Sequence, residues 1–179
     1  KRDLWRAMDR LGFGQVPGSG FPGEASGRLN DYRRWAAIDQ ATLAFGYGIS
    51  VTTLQLAQAY ATLANDGVFL PASLLKRASP PAGRRVFSAA TAKAVRRMLE
   101  AVVGDEGTAP AAAVAGYRVA GKTGTTNDAK DAWFVGYSTD IVAAVWVGYD
   151  DAIPLGPGES GAATALPAWI DFMGSVHKG

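Results

Sequence analysis

Three short runs rich in β-branched and aromatic residues, YRVAGKT, DAWFVGYS and IVAAVWVGYD, follow one another between Tyr117 and Asp150. Such side chains pack well on a pleated, half-buried surface, so the runs are expected to be strands. The second run hands over to the third through Ser138, Thr139 and Asp140 alone. A parallel pair needs a crossover of roughly a dozen residues or more, usually a helix, and neither connection here has room for one. The region is therefore predicted to be an antiparallel three-strand meander.

Ahead of the strands the apolar period is helical. Leu4, Trp5, Met8 and Leu11 form a stripe at the start of the chain. SVTTLQLAQAYATLANDG predicts a helix capped by Ser50 or Thr52, with Leu54, Ala57, Ala61 and Ala64 on one face, Leu56, Tyr60 and Leu63 beside them, and Asn65-Asp66-Gly67 as its stop. A further helix is expected from Ser88 to about Val103, with Ala92, Val95, Leu99 and Val102 at helical spacing, and a last one near Ala162 to Val176, with Leu166, Trp169, Ile170 and Met173 on its apolar face. Between the first two helices, GFGQVPGSGFPGEASGRLN predicts an ordered loop, because Phe13, Val16 and Phe21 give it side chains to bury. No repeat or domain boundary is evident. The expected class is α+β, an antiparallel sheet packed against helices.

Composition narrows the function. With 48% hydrophobic and 19% charged residues the chain suits a soluble globular fold, and its net charge of +2 comes from 18 basic and 16 acidic residues with no block of either sign. Nothing in that pattern calls for nucleic acid or an anionic membrane as a partner. The absence of cysteine excludes disulfides and thiolate metal sites. The longest apolar run, Ile141 to Tyr149, is too short to span a bilayer as a helix. The first residues lack the apolar stretch of a signal peptide, so an anchor or export signal is expected outside this chain, and the abrupt start suggests a fragment. His177, the only histidine, lies at the C-terminus with no acidic neighbour and is assigned no role; Asp150 and Asp151 are expected to be solvated. No metal or cofactor is expected.

GYRVAGKTGTT, residues 116 to 126, admits two readings. It fits G-x-x-x-x-G-K-[ST], the spacing of a loop that cradles phosphates, with the apolar run ending in Asp150 as a magnesium-assisting strand. A phosphate loop must lead directly into a helix, whereas Thr123 is followed by Gly124, Thr125, Thr126, Asn127 and Asp128, a turn-like run, and then by a strand. The other reading puts Lys122 and Thr123 near the end of a strand with Gly124 next. A glycine lets an extended peptide approach the backbone and pair with it, while the lysine and the hydroxyls of Thr123 and Thr125 suit a free carboxylate. For K-T-G alone, a plain hairpin with an exposed lysine and strand-favouring threonines is the better reading.

FPGEASG, ATLAFGYGISVTTLQLAQAYATLANDGV and VAGKTGTTNDAKDAWFVGY stand in an order and spacing that resembles the C-terminal part of a penicillin-binding protein transpeptidase domain. Up to about Gly121 the style is similar to the monofunctional, division-associated class; from Thr125 onward, TTNDAKDAWFVGYSTDIVAAVWVGYDD resembles the bifunctional class. The resemblance implies a serine β-lactamase/penicillin-binding fold whose sheet is wider than the meander. It implies a D,D-transpeptidase that cross-links peptidoglycan through an acyl-enzyme, acting on the D-Ala-D-Ala stem peptide and trapped by β-lactam antibiotics. The expected setting is the periplasmic or extracytoplasmic face of a bacterial inner membrane, with cell-division or elongation proteins as partners. By the same resemblance Lys122, Thr123 and Gly124 are catalytic, Lys122 holding a second serine's hydroxyl. Thr123, Thr125 and Thr126 bind substrate, and the Thr125 amide is one of two oxyanion donors. Asn127 and Asp128 would line the cleft or serve as turn residues, and Tyr47 and Trp133 would be core or wall.

Such chemistry needs a Ser-x-x-Lys nucleophile and a Ser-x-Asn as well as the K-T-G. No Ser-x-Asn occurs, and the literal Ser-x-x-Lys at Ser73 to Lys76 follows Pro71, precedes Pro80-Pro81 and has two leucines that fit a short strand rather than the start of a buried helix. The chain, 1–179, is accordingly expected to be the substrate-holding part of the domain, inactive alone. A peptidoglycan- or partner-binding module, and within the fold a β-lactamase or D,D-carboxypeptidase, are the alternatives.

Overall fold

The helix predicted after Ser50 starts where the sequence offers a reciprocal cap. The Thr52 hydroxyl oxygen accepts the Gln55 amide at 3.1 Å, and Gln55 Oε1 accepts the Thr52 amide at 2.8 Å. Thr52 is thus the cap, and Ser50 instead forms an antiparallel bridge with Arg28. The computed structural model describes residues 1–177, and the chain divides into two units, Lys1–Ser88 and Ala89–Gly179.

The first unit carries α1 (Arg2–Arg10), α2 (Ala37–Leu43), α3 (Thr53–Ala64) and a two-residue ribbon of β1 (Val68–Phe69) with β2 (Arg84–Arg85). Neither α2 nor the ribbon was expected. α2 is only two turns long, its start held by Asp39 accepting the Ala36 amide at 2.7 Å, and strands of two residues are too short to show alternation.

The buried residues of α3 are Gln55, Gln58, Ala59 and Thr62, while Leu54 is exposed, so the predicted apolar face is not the one the helix buries. The cause is the glycine-rich loop. Gln55 Nε2 donates to the carbonyls of Gly12, Gln15 and Ser26 at 3.2, 2.8 and 2.8 Å, tying that loop to the helix. Buried polar groups persist only when partnered, and this carboxamide uses both its ends. The loop is ordered as expected, but of its three large apolar side chains only Phe13 is buried, Val16 and Phe21 being exposed. Glu24 closes the same loop, accepting from Ser19 Oγ at 2.5 Å and from the Gly18 and Ser19 amides. These bonds, the Ser19 hydroxyl first, hold its carboxyl below the ordinary value. Leu74 and Leu75 lie exposed in a loop, not in the short strand expected of them.

The second unit contains α4 (Ala89–Val103), β3 (Ala120–Thr125), β4 (Asp131–Tyr137), β5 (Val142–Gly148) and α5 (Leu166–Val176). The strands form the predicted antiparallel meander in the order β3-β4-β5. β3 begins at Ala120 rather than Tyr117, whose amide donates instead to the Val114 carbonyl in a turn at 3.0 Å. Phe134 on β4 meets Trp169 on α5 edge to face at 5.0 Å, and with Met173, Leu166, Val119 and four alanines they form the core. Burying a side chain such as Phe134 or Met173 stabilises by roughly 1.5–3 kcal/mol. Trp169 Nε1 donates to the Ala143 carbonyl at 3.2 Å, so the indole is buried without an orphaned donor.

His177 is not idle. Its Nε2 lies 3.0 Å from Ser138 Oγ and its ring stacks on Tyr117 at 3.8 Å. Ser138 Oγ already accepts the Asp140 and Ile141 amides, so the hydroxyl proton points to His177 Nε2 as acceptor. Among the described residues no helix is long and apolar enough to cross a membrane.

Candidate functional site

β3 is paired with β4 on one side and, among the described residues, with no strand on the other. Backbone groups alternate sides along an antiparallel strand. Just past the end of β3, the Thr126 amide donates toward β4, to the Asp131 carbonyl at 3.1 Å. By alternation Gly124 and Lys122 also face β4, and the amides and carbonyls of Thr123 and Thr125 face the open edge. The register puts Thr123 and Thr125 opposite Phe134 and Ala132, and Lys122 and Gly124 opposite Val135 and Trp133.

Lys122 is exposed, and its Nζ donates to Thr123 O at 3.0 Å and Thr123 Oγ1 at 3.1 Å. An ammonium can only donate, so Thr123 Oγ1 is an acceptor here and its own proton is available. One candidate recipient is Thr108, whose Oγ1 lies 3.3 Å away. Sequence reasoning missed Thr108, since nothing local marks a threonine 15 residues ahead of Thr123. The fold brings it in: Ala109 donates its amide to the Val102 carbonyl at 3.0 Å, Ala109 and Ala112 are buried, and Gly107 turns the chain where a Cβ would stand 2.0 Å from Val102 O.

Thr125 is held from the helical side. Its Oγ1 accepts the Gly161 amide at 3.0 Å, which leaves the hydroxyl proton free to donate. Gly161 opens a π-helical turn, Gly161–Ala165, capped by Ser160 Oγ accepting the Ala163 amide at 3.1 Å. It presses directly on the Gly124/Trp133 pair: a Cβ there would stand 2.3 Å from Trp133 O and 2.6 Å from Gly124 O. Only glycine permits this approach. Gly161 was also missed, since nothing local marks one glycine among 22.

Thr126 closes the β3-β4 connection, its Oγ1 accepting the Asp131 amide at 2.8 Å. Asn127–Ala129 form a single 3-10 turn in which Asp128 and Ala129 have φ of +61° and +49°. β3 leads into a 3-10 turn and then β4, with no α-helix directly after Thr123, so the phosphate-loop reading lacks the helical N-terminus it requires. Trp133, half-buried, packs against Trp146 at 6.1 Å, and Trp146 Nε1 donates to Asp131 Oδ1 at 2.9 Å. Tyr47, in the first unit, meets Phe45 edge to face at 5.6 Å. Ser73 is exposed in a loop, its hydroxyl bonded to the backbone of Leu75 rather than set at the start of a helix. A second literal Ser-x-x-Lys begins at Ser175, whose hydroxyl donates to Asp171 O within α5; its lysine, Lys178, lies outside the described residues.

The arrangement offers an extended ligand an open backbone edge, an ammonium, and two threonine hydroxyls with donatable protons. Such an arrangement suits an extended peptide that ends in a free carboxylate.

A model of the penicillin-binding protein transpeptidase domain matches residues 2–165. A probable peptidoglycan D,D-transpeptidase PenA of Neisseria meningitidis is 41% identical over 181 residues, which cover 96% of this chain and 31% of that protein. The peptidoglycan D,D-transpeptidase FtsI of Escherichia coli is 43% identical over 116 residues, 65% of this chain and 20% of that protein. The apo TP domain of Burkholderia pseudomallei penicillin-binding protein 3 superposes with a TM-score of 0.84 at 40% identity, covering 97% of this chain and 56% of that one. The chain thus spans about a third or less of the length of these curated relatives.

Proposed function

The chain belongs to the penicillin-binding protein transpeptidase domain family, and on that premise we propose that it supplies the substrate-holding edge of a peptidoglycan D,D-transpeptidase. The observation that carries this reading is the open edge of β3, where Lys122 Nζ and Thr123 Oγ1 lie 3.1 Å apart beside the outward-facing backbone of Thr125. A D-Ala-D-Ala stem peptide, or a β-lactam in its place, would lie along that edge as an added strand. Its terminal carboxylate would take protons from the Thr123 and Thr125 hydroxyls, with Thr126 at the end of the groove.

In acyl transfer the Thr125 amide would be an oxyanion donor, an interaction worth about 2.7–4 kcal/mol in other acyl-transfer enzymes. Lys122 would add positive potential and hold a serine hydroxyl, and Gly124 would keep the strand low enough for the ligand to approach. On this reading 1–179 is part of a transpeptidase domain, the attacking serine comes from outside these residues, and the complete enzyme works on the outer side of a bacterial membrane beside division or elongation proteins. The chain itself binds without turnover.

Titration of the chain with a D-Ala-D-Ala peptide and with its C-terminal amide tests this. Saturable binding that needs the carboxylate and weakens about tenfold in Lys122→Ala or Thr123→Val is the expected result. Equal binding of acid and amide would overturn the site, and a covalent penicillin adduct on the isolated chain would overturn the absence of a nucleophile.

A further inference from the structure

Lys93, Arg96, Arg97 and Glu100 recur at three, four and seven residues along α4 and so share one face of the helix. With Arg118, which precedes β3, they line a cavity of about 200 Å³. Four cations and one carboxylate leave a local surplus of three positive charges, more than the +2 of the entire chain. Glu100 accepts from Arg118 Nη2 with both its oxygens, at 2.8 and 2.9 Å. Lys93 and Arg97 are exposed and have no carboxylate partner among the described residues. Behind the helix face, Tyr137 is buried, and its phenol is pushed up by that burial, eased by Arg96 and reinforced by Glu100.

Like charges three and four residues apart destabilise a helix by a few tenths of a kcal/mol per pair, roughly 0.2–0.5. A bound anion would remove that repulsion. A carboxylate would bring two oxygens and a single charge to a site with a surplus of three. Three guanidiniums and an ammonium around a concave site suit an anion with more oxygens and more charge, and the planar fork of arginine fits phosphoryl oxygens in pairs. We propose that this cavity binds a phosphoryl anion, a phosphomonoester or pyrophosphate, free or as the headgroup of a lipid. The site lies toward the start of β3, away from Thr125 at its end, and does not rest on the transpeptidase reading.

Calorimetric titration of the full chain with inorganic pyrophosphate should give saturable one-to-one binding. The double variant Lys93→Gln, Arg97→Gln should bind roughly tenfold more weakly or worse, whereas Lys76→Gln, Arg77→Gln, which removes the same charge from an exposed loop, should bind as the native chain does. Circular dichroism confirms that each variant is folded. Co-sedimentation with phosphatidylcholine vesicles, with and without phosphatidic acid, distinguishes the sources: pocket-dependent capture by phosphatidic acid assigns a lipid headgroup, and pyrophosphate binding without capture assigns a free phosphate. The proposal is overturned if neither ligand binds saturably, or if the pocket variant binds both as tightly as the native chain.

Discussion

At the centre of Ala89–Gly179 stand Phe134, Trp169 and Met173, an aromatic and aliphatic wedge between sheet and helix, whereas in Lys1–Ser88 the buried face of α3 is lined by Gln55, Gln58 and Thr62. The first is held by apolar area, which is non-directional and tolerates small shifts. The second is held by hydrogen bonds from one carboxamide to three carbonyls of a loop 29 to 43 residues away in sequence. Such bonds are directional and fail as a set. One unit depends on volume and the other on donor geometry, so the same kind of substitution should act differently in each.

The sharpest test is Trp169→Ala, which removes the largest fully buried side chain. It should cost about 3–5 kcal/mol, read by denaturant unfolding, and a loss below 1 kcal/mol would show that the wedge is not what holds the second unit. Gln55→Leu keeps the volume but strands the Gly12, Gln15 and Ser26 carbonyls and the Thr52 amide. We expect a loss on the order of 3 kcal/mol and faster amide exchange from residues 12 to 30. Unchanged exchange there would remove the contrast between the units.

A smaller effect, of opposite sign, is expected at the rim of the candidate site. Ala129 has a left-handed φ of +49°, and its carbonyl accepts the Leu155 amide at 2.9 Å. Ala129→Gly should relieve that strain and stabilise by roughly 0.5–1 kcal/mol; a lower melting temperature would contradict it. The smallest effect concerns Glu24. Its folded-state carboxyl titrates below the unfolded one, near 4.5, so its contribution to stability is present above that value and is lost as pH falls through the folded value. Melting curves of native chain and Glu24→Gln should therefore differ at pH 7 and converge as pH falls through the folded value. A gap independent of pH would assign the loop's order to something other than the Ser19-Glu24 contact.

Much of the fold was legible from local pattern. The strands β4 and β5 and helices α1, α3, α4 and α5 follow from alternation, helical period and caps within a dozen residues of each other, and the three-residue link Ser138 to Asp140 alone imposes antiparallel pairing. Lys122, Thr123 and Gly124 were legible as an edge-strand motif for the same reason. Misreadings arose where local pattern and environment diverged: α3 has an apolar stripe, yet the loop beside it demanded donors, and Leu54 was left outside.

By itself the sequence determined the order of helices and strands, the hand-over from helical to alternating period near Tyr117, and the chemistry available on β3, because each depends on neighbours along the chain. Tertiary structure alone decided that Thr108 meets Thr123, that Gly161 holds Thr125, and that four cations scattered between positions 93 and 118 surround one cavity. Those contacts join residues from 15 to 36 positions apart, or gather charge across a turn and a helix. No propensity of a single residue encodes a distance of that kind; only the packing of α4 and α5 on the sheet sets it.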